Sequence, residues 1–285
     1  MLRLNQQTSL FAHTKVQKSI MYAILIFGSV FYIYPLVWLI LNSLKVTAQI
    51  YANPWSLPDT WMWTNYVNAW TSGNTSKYLF NSVLITGVSL VVVLIFSAMA
   101  AFALVKLRWK ASKGMLLFFL IGFMVPHHAT IIPLFVYFSK LDLVNSRFGL
   151  MLIYIAFGLP AAVLILSGFL RSLPREIMEA GVMDGCSMYT LFWRIVMPMS
   201  MPALMTVTIL SFVSVWNELF LAIIFISDTH KLTLPVGLTR FSDLYVTDYA
   251  PMFAAIVIAT VPTIFLFAIF NKKVLAGMAE GAIKG

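Results

Sequence analysis

Six stretches of this sequence are apolar for longer than a soluble helix or strand requires: residues 19–41, 78–105, 114–137, 148–170, 202–226 and 251–270. A hydrocarbon core about 30 Å thick takes roughly 20 helical residues to cross, and each stretch supplies enough. In lipid every backbone N–H and C=O must be satisfied within the spanning structure, which leaves helices or a closed barrel. A barrel would show alternating segments of about ten residues, and none occur here. The fold class expected is therefore an all-α polytopic membrane protein with six transmembrane helices. Composition agrees: 10% of residues are charged, whereas a water-facing domain needs about 25%.

The cations sit between the apolar runs. Thirteen of the nineteen Lys and Arg fall in the N-terminal segment, the second-to-third and fourth-to-fifth connections, and the C-terminus. The positive-inside rule then places both termini in the cytoplasm. The domains expected are a cytoplasmic segment 1–18 and a six-helix domain 19–285. The net charge of +9 is explained by this topology, and nucleic acid is not a partner. A single cysteine, Cys186, excludes an intrachain disulfide. The first run is too long for a signal-peptide core, and no small-residue cleavage site follows it.

Two connections are unusual. The first outer loop, about 42–77, carries Tyr51, Trp55, Trp61, Trp63, Tyr66 and Trp70. These rings either anchor an amphipathic segment at the membrane surface or form a face on which a partner protein docks. The cytoplasmic connection 171–201 is too long for a turn and lacks the composition of a flexible linker. Pro174 suits the first position of a helix and Glu176 its positive end. Asp184-Gly185 reads as a stop and turn. Ser187 suits the cap of a second helix, about 188–197, ended by Pro198. Two short helices joined by a tight turn make either a rigid knob or a hairpin lying on the membrane. In the knob, Glu179 would meet a cation on a partner, and Ala180 and Gly181 would let that partner come close.

Glu179-Ala180-Gly181, then Gly185, Ile195 and Met197-Pro198 at their spacing, resemble the Glu-Ala-Ala signature of ABC importer permeases. Asp184 matches the common form. Gly181 stands where Ala is usual and Met197 where Leu is usual. The resemblance implies that 171–201 is a coupling loop seated in a cleft of a separate ATPase subunit. ATP binding would then drive a rigid-body motion between inward and outward states. The chain lacks a Gly-x-x-x-x-Gly-Lys-Ser/Thr phosphate loop, so no cofactor is expected in it. ATP and Mg would be held by the partner ATPases.

The ending 277–285 is similar to that of carbohydrate-importer permeases of the maltose-permease second-subunit type, with Glu280 in place of a small residue. Asn53-Pro54-Trp55-Ser56-Leu57-Pro58, Ile132-Pro133-Leu134-Phe135 and Trp216-Asn217-Glu218 support the same resemblance. It implies a heterodimer with a second, related permease, two ATPase subunits, and an extracytoplasmic sugar-binding protein. It also implies that the tail 271–285 meets the ATPases through Gly281, Ala282, Lys284 and Gly285. A frayed terminus is the plainer reading of that tail.

Strong polar groups at membrane depth face a pathway or a partner. Trp216, Asn217 and Glu218 combine an aromatic face with hydrogen-bonding groups, as a sugar site requires, or they form a polar cluster joining helices. His127 and His128, after Pro126, either line the same cavity or sit in an outer loop. Adjacent histidines point apart on a helix, so no metal site is read there. Pro160 and Pro262 mark expected kinks or breaks. Two rival functions remain. An importer of glycerol phosphate or glycerophosphodiesters would favour Lys or Arg along the path, and the fifth and sixth runs have none at their middle. An integral-membrane enzyme would need a catalytic constellation that Glu218 alone does not make.

Overall fold

The computed structural model describes residues 15–107, 109–241 and 248–282, with side chains described as far as Ile269. Among the described residues, four helices are long and apolar enough to cross a membrane alone: α1 (Lys15–Ser43), α4 (Thr75–Lys106), α7 (Arg147–Ser172) and the first part of α13 (Tyr249–Ala282). Two short helices, α2 (Thr47–Ala52) and α3 (Thr64–Trp70), lie between α1 and α4. Two bent pairs bring the crossings to as many as six. In one, α5 (Ser112–Met124) meets a turn at His127–Thr130 and α6 (Ile131–Lys140) at 87°. In the other, α9 (Met188–Met199) meets α10 (Met201–Trp216) at 72°. Shorter helices among the described residues are α8 (Glu176–Met183), α11 (Phe220–Phe225) and α12 (Leu234–Leu238), the last followed by a 3₁₀ turn at Thr239–Phe241. Among the described residues there is no strand.

Lipid tails are as apolar as leucine, so apolar burial does not drive helices together in a membrane. Close packing of small residues does. The central pair, α4 and α7, follows that rule. On α4 the buried positions Ser82, Thr86, Ser89, Val93, Ser97 and Ala101 recur every three or four residues, which makes one narrow stripe. Gly149 and Ala162 are buried on α7, and a methyl group at Gly158 would come within 3.2 Å of Val93. Larger side chains fill the two ends. Tyr78, Ile85, Leu150, Tyr154, Phe212 and Trp216 pack in one cluster, and Phe102, Leu166, Phe192, Val196 and Leu204 in the other. By contrast α5 buries no residue, and α1 buries only Asn42 and Ser43, so both present apolar side chains outward.

The apolar runs do not map one-to-one onto helices. The run 202–226 was expected as one span, but α10 stops at Trp216, about 24 Å long by the helical rise. The chain restarts as α11 after a three-residue break. Pro126 breaks the third run as its missing N–H requires. Pro160 and Pro262 do not break theirs, and each lies inside a continuous helix. A Pro in a membrane helix is tolerated when neighbouring helices and local adjustments satisfy the freed carbonyl.

At the end where α4 and α7 begin, polar side chains tie the loops down. Asn81, 1% exposed, donates to the carbonyls of His230 (3.0 Å) and Leu232 (2.9 Å), and the Ser82 hydroxyl accepts from the Leu234 N–H at 2.7 Å. Arg147 also donates to the His230 carbonyl, and Lys231 to that of Asn145. Asn145, at φ 58°, accepts from the N–H groups of Ser227 and Asp228. The Asp228 carboxylate is held below the usual range by the His230 N–H, with Lys231 adding to the effect against partial burial.

Replacing Asn81 by Ala leaves two carbonyls unpaired. At about 1–1.5 kcal/mol for each bond, the loss is about 2–3 kcal/mol. Thermal unfolding of the purified protein should show a lower midpoint for Asn81→Ala and a much smaller change for exposed Ser72→Ala.

Candidate functional site

Two places in this bundle carry unusual chemistry: the hairpin of α8 and α9 at one end, and a cavity inside the bundle.

In the hairpin, α8 ends at Asp184, and Gly185 takes φ +78°. That conformation strains any residue with a Cβ. The Cys186 N–H returns to the Gly181 carbonyl at 3.0 Å, closing the turn. Ser187 then caps α9, its hydroxyl accepting from the Thr190 N–H at 3.2 Å. The second helix does not end at Pro198. It contains a π turn at Phe192–Val196, continues to Met199 and breaks at Ser200. In a regular helix the proline ring collides with the carbonyl four residues earlier. The wider π turn just before Pro198 relieves that collision.

The hairpin sorts the signature residues. Glu179, Ala180, Asp184 and Gly185 are exposed, and so is Pro198. Gly181 is buried, and a Cβ there would meet Leu191 at 2.7 Å and Ile195 at 3.1 Å. Gly181 therefore admits the protein's own α9 rather than a partner, which corrects the reading of its role. Ile195, half-buried, belongs to the same contact. The same hairpin exposes large apolar groups, with Met183 at 87% and Tyr189 at 73% exposure. Sequence reasoning missed these two, although Met183 directly precedes the Asp184-Gly185 turn. At the base of the hairpin Lys106, on α4, donates to the Leu173 carbonyl at 2.8 Å. Of the C-terminal tail, Gly281 and Ala282 continue α13, while Lys284 and Gly285 lie outside the described residues.

The cavity, of about 260 Å³, lies between α4, α7 and α10. Its polar groups are Ser89, His127, Tyr154, Ser211, Ser214 and Glu218. Phe157 and Phe123 supply aromatic walls, and His127 lies nearly parallel to Phe157 with ring centres 4.2 Å apart. The Ser89 hydroxyl is buried with no protein partner. Glu218 sits where the broken span restarts. Its carboxylate accepts from the N–H groups of Leu221 (2.7 Å) and Ala222 (3.0 Å) and from the Tyr154 hydroxyl (2.7 Å). These bonds cap the free N–H groups of α11 and join α7 to the break.

Of the five intramembrane residues read as candidates for the substrate path, the structure brings only His127 and Glu218 to the cavity. Trp216, 4% exposed, stacks on Phe212 and donates to the Ala259 carbonyl at 3.3 Å. Asn217 caps α10 and donates to the Val213 carbonyl, and His128 meets the edge of Phe220. The residues missed are Tyr154, Ser89, Ser211 and Ser214. The serines had a signal, since Ser211 and Ser214 are three apart and share a helix face. Tyr154 had none.

The fold and these sites define a class: a multi-pass helical membrane protein with a structured hairpin projecting from one end. Residues 93–278 match the family described as binding-protein-dependent transport system inner membrane component. The chain is 34% identical over 268 residues to the diacetylchitobiose uptake system permease protein NgcG of Streptomyces coelicolor, covering 93% of this chain and 89% of that one. It is 36% identical over 252 residues to the probable ABC transporter permease protein YurM of Bacillus subtilis, covering 88% and 84%. Its fold is similar to a chain in the crystal structure of a bacterial ABC transporter that imports the acidic polysaccharide alginate, with TM-score 0.80, 23% identity, and coverage of 91% of this chain and 98% of that one. The chain belongs to the family of binding-protein-dependent transport inner-membrane components, the permeases of ABC importers.

Glu218→Ala strands two backbone N–H groups and a buried hydroxyl, so a loss of about 3 kcal/mol or more is expected. Tyr154→Phe removes one bond and should cost about 1–1.5 kcal/mol. Thermal unfolding of both variants beside wild type checks the ranking, and equal losses would show that the break is held by something else.

Proposed function

We propose that this chain is one of two different permease subunits of an ATP-driven sugar importer, with both termini in the cytoplasm and residues 171–201 as the element that engages the ATPase. The observation that carries this reading is the α8–α9 hairpin. It is fixed internally by Gly185, Ser187 and the Gly181 contact, yet it projects Glu179, Ala180 and Met183 outward. A structured knob transmits displacement as a flexible loop cannot. Its exposed apolar tip, with the Glu179 and Asp184 carboxylates beside it, suits a cleft that offers apolar walls and a cation. Two ATPase subunits would hold ATP and Mg, and an extracytoplasmic binding protein would deliver the sugar. The tail residues Gly281, Ala282, Lys284 and Gly285 are proposed to meet the same ATPases.

The cavity supports a neutral substrate. Hydroxyls, a histidine and aromatic walls suit a sugar ring, and no Lys or Arg is among the described residues lining it. That favours a saccharide over glycerol phosphate, which calls for a fixed cation. His127 and Glu218, with Ser89, Ser211 and Ser214, are the groups proposed to lie on the path. The uptake of diacetylchitobiose attributed to the Streptomyces relative fits a saccharide of this kind.

The test is co-purification with partner subunits, then ATP hydrolysis stimulated by substrate-loaded binding protein. Glu179→Ala removes one side of a charge contact worth about 2 kcal/mol, so docking should weaken roughly thirtyfold. Gly185→Asp adds backbone strain and a charge at the tip and should abolish stimulated hydrolysis. If no ATPase co-purifies, or both variants hydrolyse and transport as wild type, the coupling assignment fails.

A further inference from the structure

The segment between α1 and α4 has a geometry that its sequence left open. Lys15 and Lys18 mark where α1 meets the water at one face. Counting about 20 residues from Ser19 puts the opposite hydrocarbon boundary near Trp38. The same count backward from Lys272 on α13 reaches the neighbourhood of Phe253. Trp38 and Phe253 pack edge to face with ring centres 5.5 Å apart. Two helices thus place the boundary at one level independently.

The chain beyond α1 does not leave that level. Trp55 packs on Trp38 (5.7 Å) and lies nearly parallel to Tyr34 (6.0 Å), one turn deeper on α1. Tyr51 packs on Tyr249 at the start of α13 (5.2 Å). The fold-back is fastened from within. Lys45, fully buried, donates to the carbonyls of Asn53 (3.3 Å) and Pro54 (3.1 Å), directly before Trp55. Gln49 donates to the Leu57 carbonyl, and Asn65 to the carbonyls of Ser43 and Lys45. The outward side chains are large and apolar: Trp55 69% exposed, Leu57 69%, Trp63 65%, Tyr51 64% and Trp61 56%. Between Val46 and Ser76 the only charge is Asp59.

We infer that residues 47–70 form a rigid platform whose exposed aromatic face is seated in the lipid headgroup layer at the membrane face opposite the α8–α9 hairpin. A face docking a soluble protein would stand clear of the boundary and carry a polar, charged rim. Here the rings begin at the boundary itself, continue the outward apolar surface of α1, and combine apolar bodies with polar tips, the chemistry of the membrane interface. With its backbone held by buried bonds, the platform fixes the depth of α1 and of α13 together.

The single cysteine makes this testable in the assembled transporter, in lipid nanodiscs, with cysteine-free partner subunits. In a Cys186→Ser background, a nitroxide is attached in turn to Leu57→Cys, Trp55→Cys and Trp63→Cys, with exposed Lys77→Cys as the aqueous reference. Leu57 makes no ring contact, so its replacement leaves the packing intact. The result expected is collision with oxygen severalfold more frequent, relative to a water-soluble nickel chelate, at 55, 57 and 63 than at 77, and unchanged by loaded binding protein. High nickel accessibility at these positions would show an aqueous face and overturn the inference. Low accessibility to both reagents would mean that another subunit covers the face, and protection only on adding binding protein would mean a docking surface. Either result overturns it too.

Discussion

The close seam between α4 and α7 is the contact on which the rest of this bundle depends. A membrane removes the usual reason for helices to associate, and what remains is dispersion between surfaces that fit. A stripe of Ser, Thr, Ala and Val on α4 against Gly158 and Ala162 on α7 brings two backbones together along much of their length. The two aromatic clusters flank that seam, one toward each end. The cavity also borders it, and Ser89, Val93, Gly158 and Ala162 belong to both seam and wall. A larger side chain in this stripe would therefore change helix spacing and cavity shape together.

The second constraint is that no backbone group can be left to lipid. Each break in a span shows how it is met. At Pro126 the chain turns through a 3₁₀ turn, with the Ala129 N–H on the Pro126 carbonyl and the Thr130 hydroxyl on that of His127. At Trp216–Phe220 the Glu218 carboxylate does the same work for α11 and recruits Tyr154 from a neighbouring helix. A charge that looks costly when the run is drawn as one helix is instead the group that makes the interruption affordable. His127 and Glu218 reach the cavity because both sit at breaks, where side chains are released from a regular helical face.

This explains what was legible in the sequence. Crossing helices follow from apolar length, because hydrocarbon thickness is a one-dimensional demand and a linear sequence can answer it. The hairpin was legible because Asp184-Gly185 and Ser187 act on their immediate neighbours. Three features were not. The run 202–226 looks continuous because Asn217-Glu218 is a brief polar interruption whose bonds go to Leu221, Ala222 and the distant Tyr154. Gly181 lies on the face of α8 that meets α9, which depends on how the two short helices cross. Pro198 ends a helix by local rules but not after a π turn, a shift in hydrogen bonding that leaves no mark in residue type.

The two ends of the molecule use opposite means to stay rigid. At the hairpin the polar restraint is short-range: a turn glycine, a serine cap and one small-residue contact fix α8 on α9, and Lys106 joins α4 to their base at Leu173. At the other end the restraint is long-range. Asn81 and Ser82 on α4 hold residues 230–234, Asn145 holds 227–228, and Thr47 meets Asp248 across two hundred residues of sequence. The hairpin is also anchored by apolar packing, with Leu191, Phe192 and Val196 of α9 buried against Phe102 on α4, Leu166 on α7 and Leu204 on α10, whereas the far end is held by polar side chains that reach across the loops before α7 and before α13.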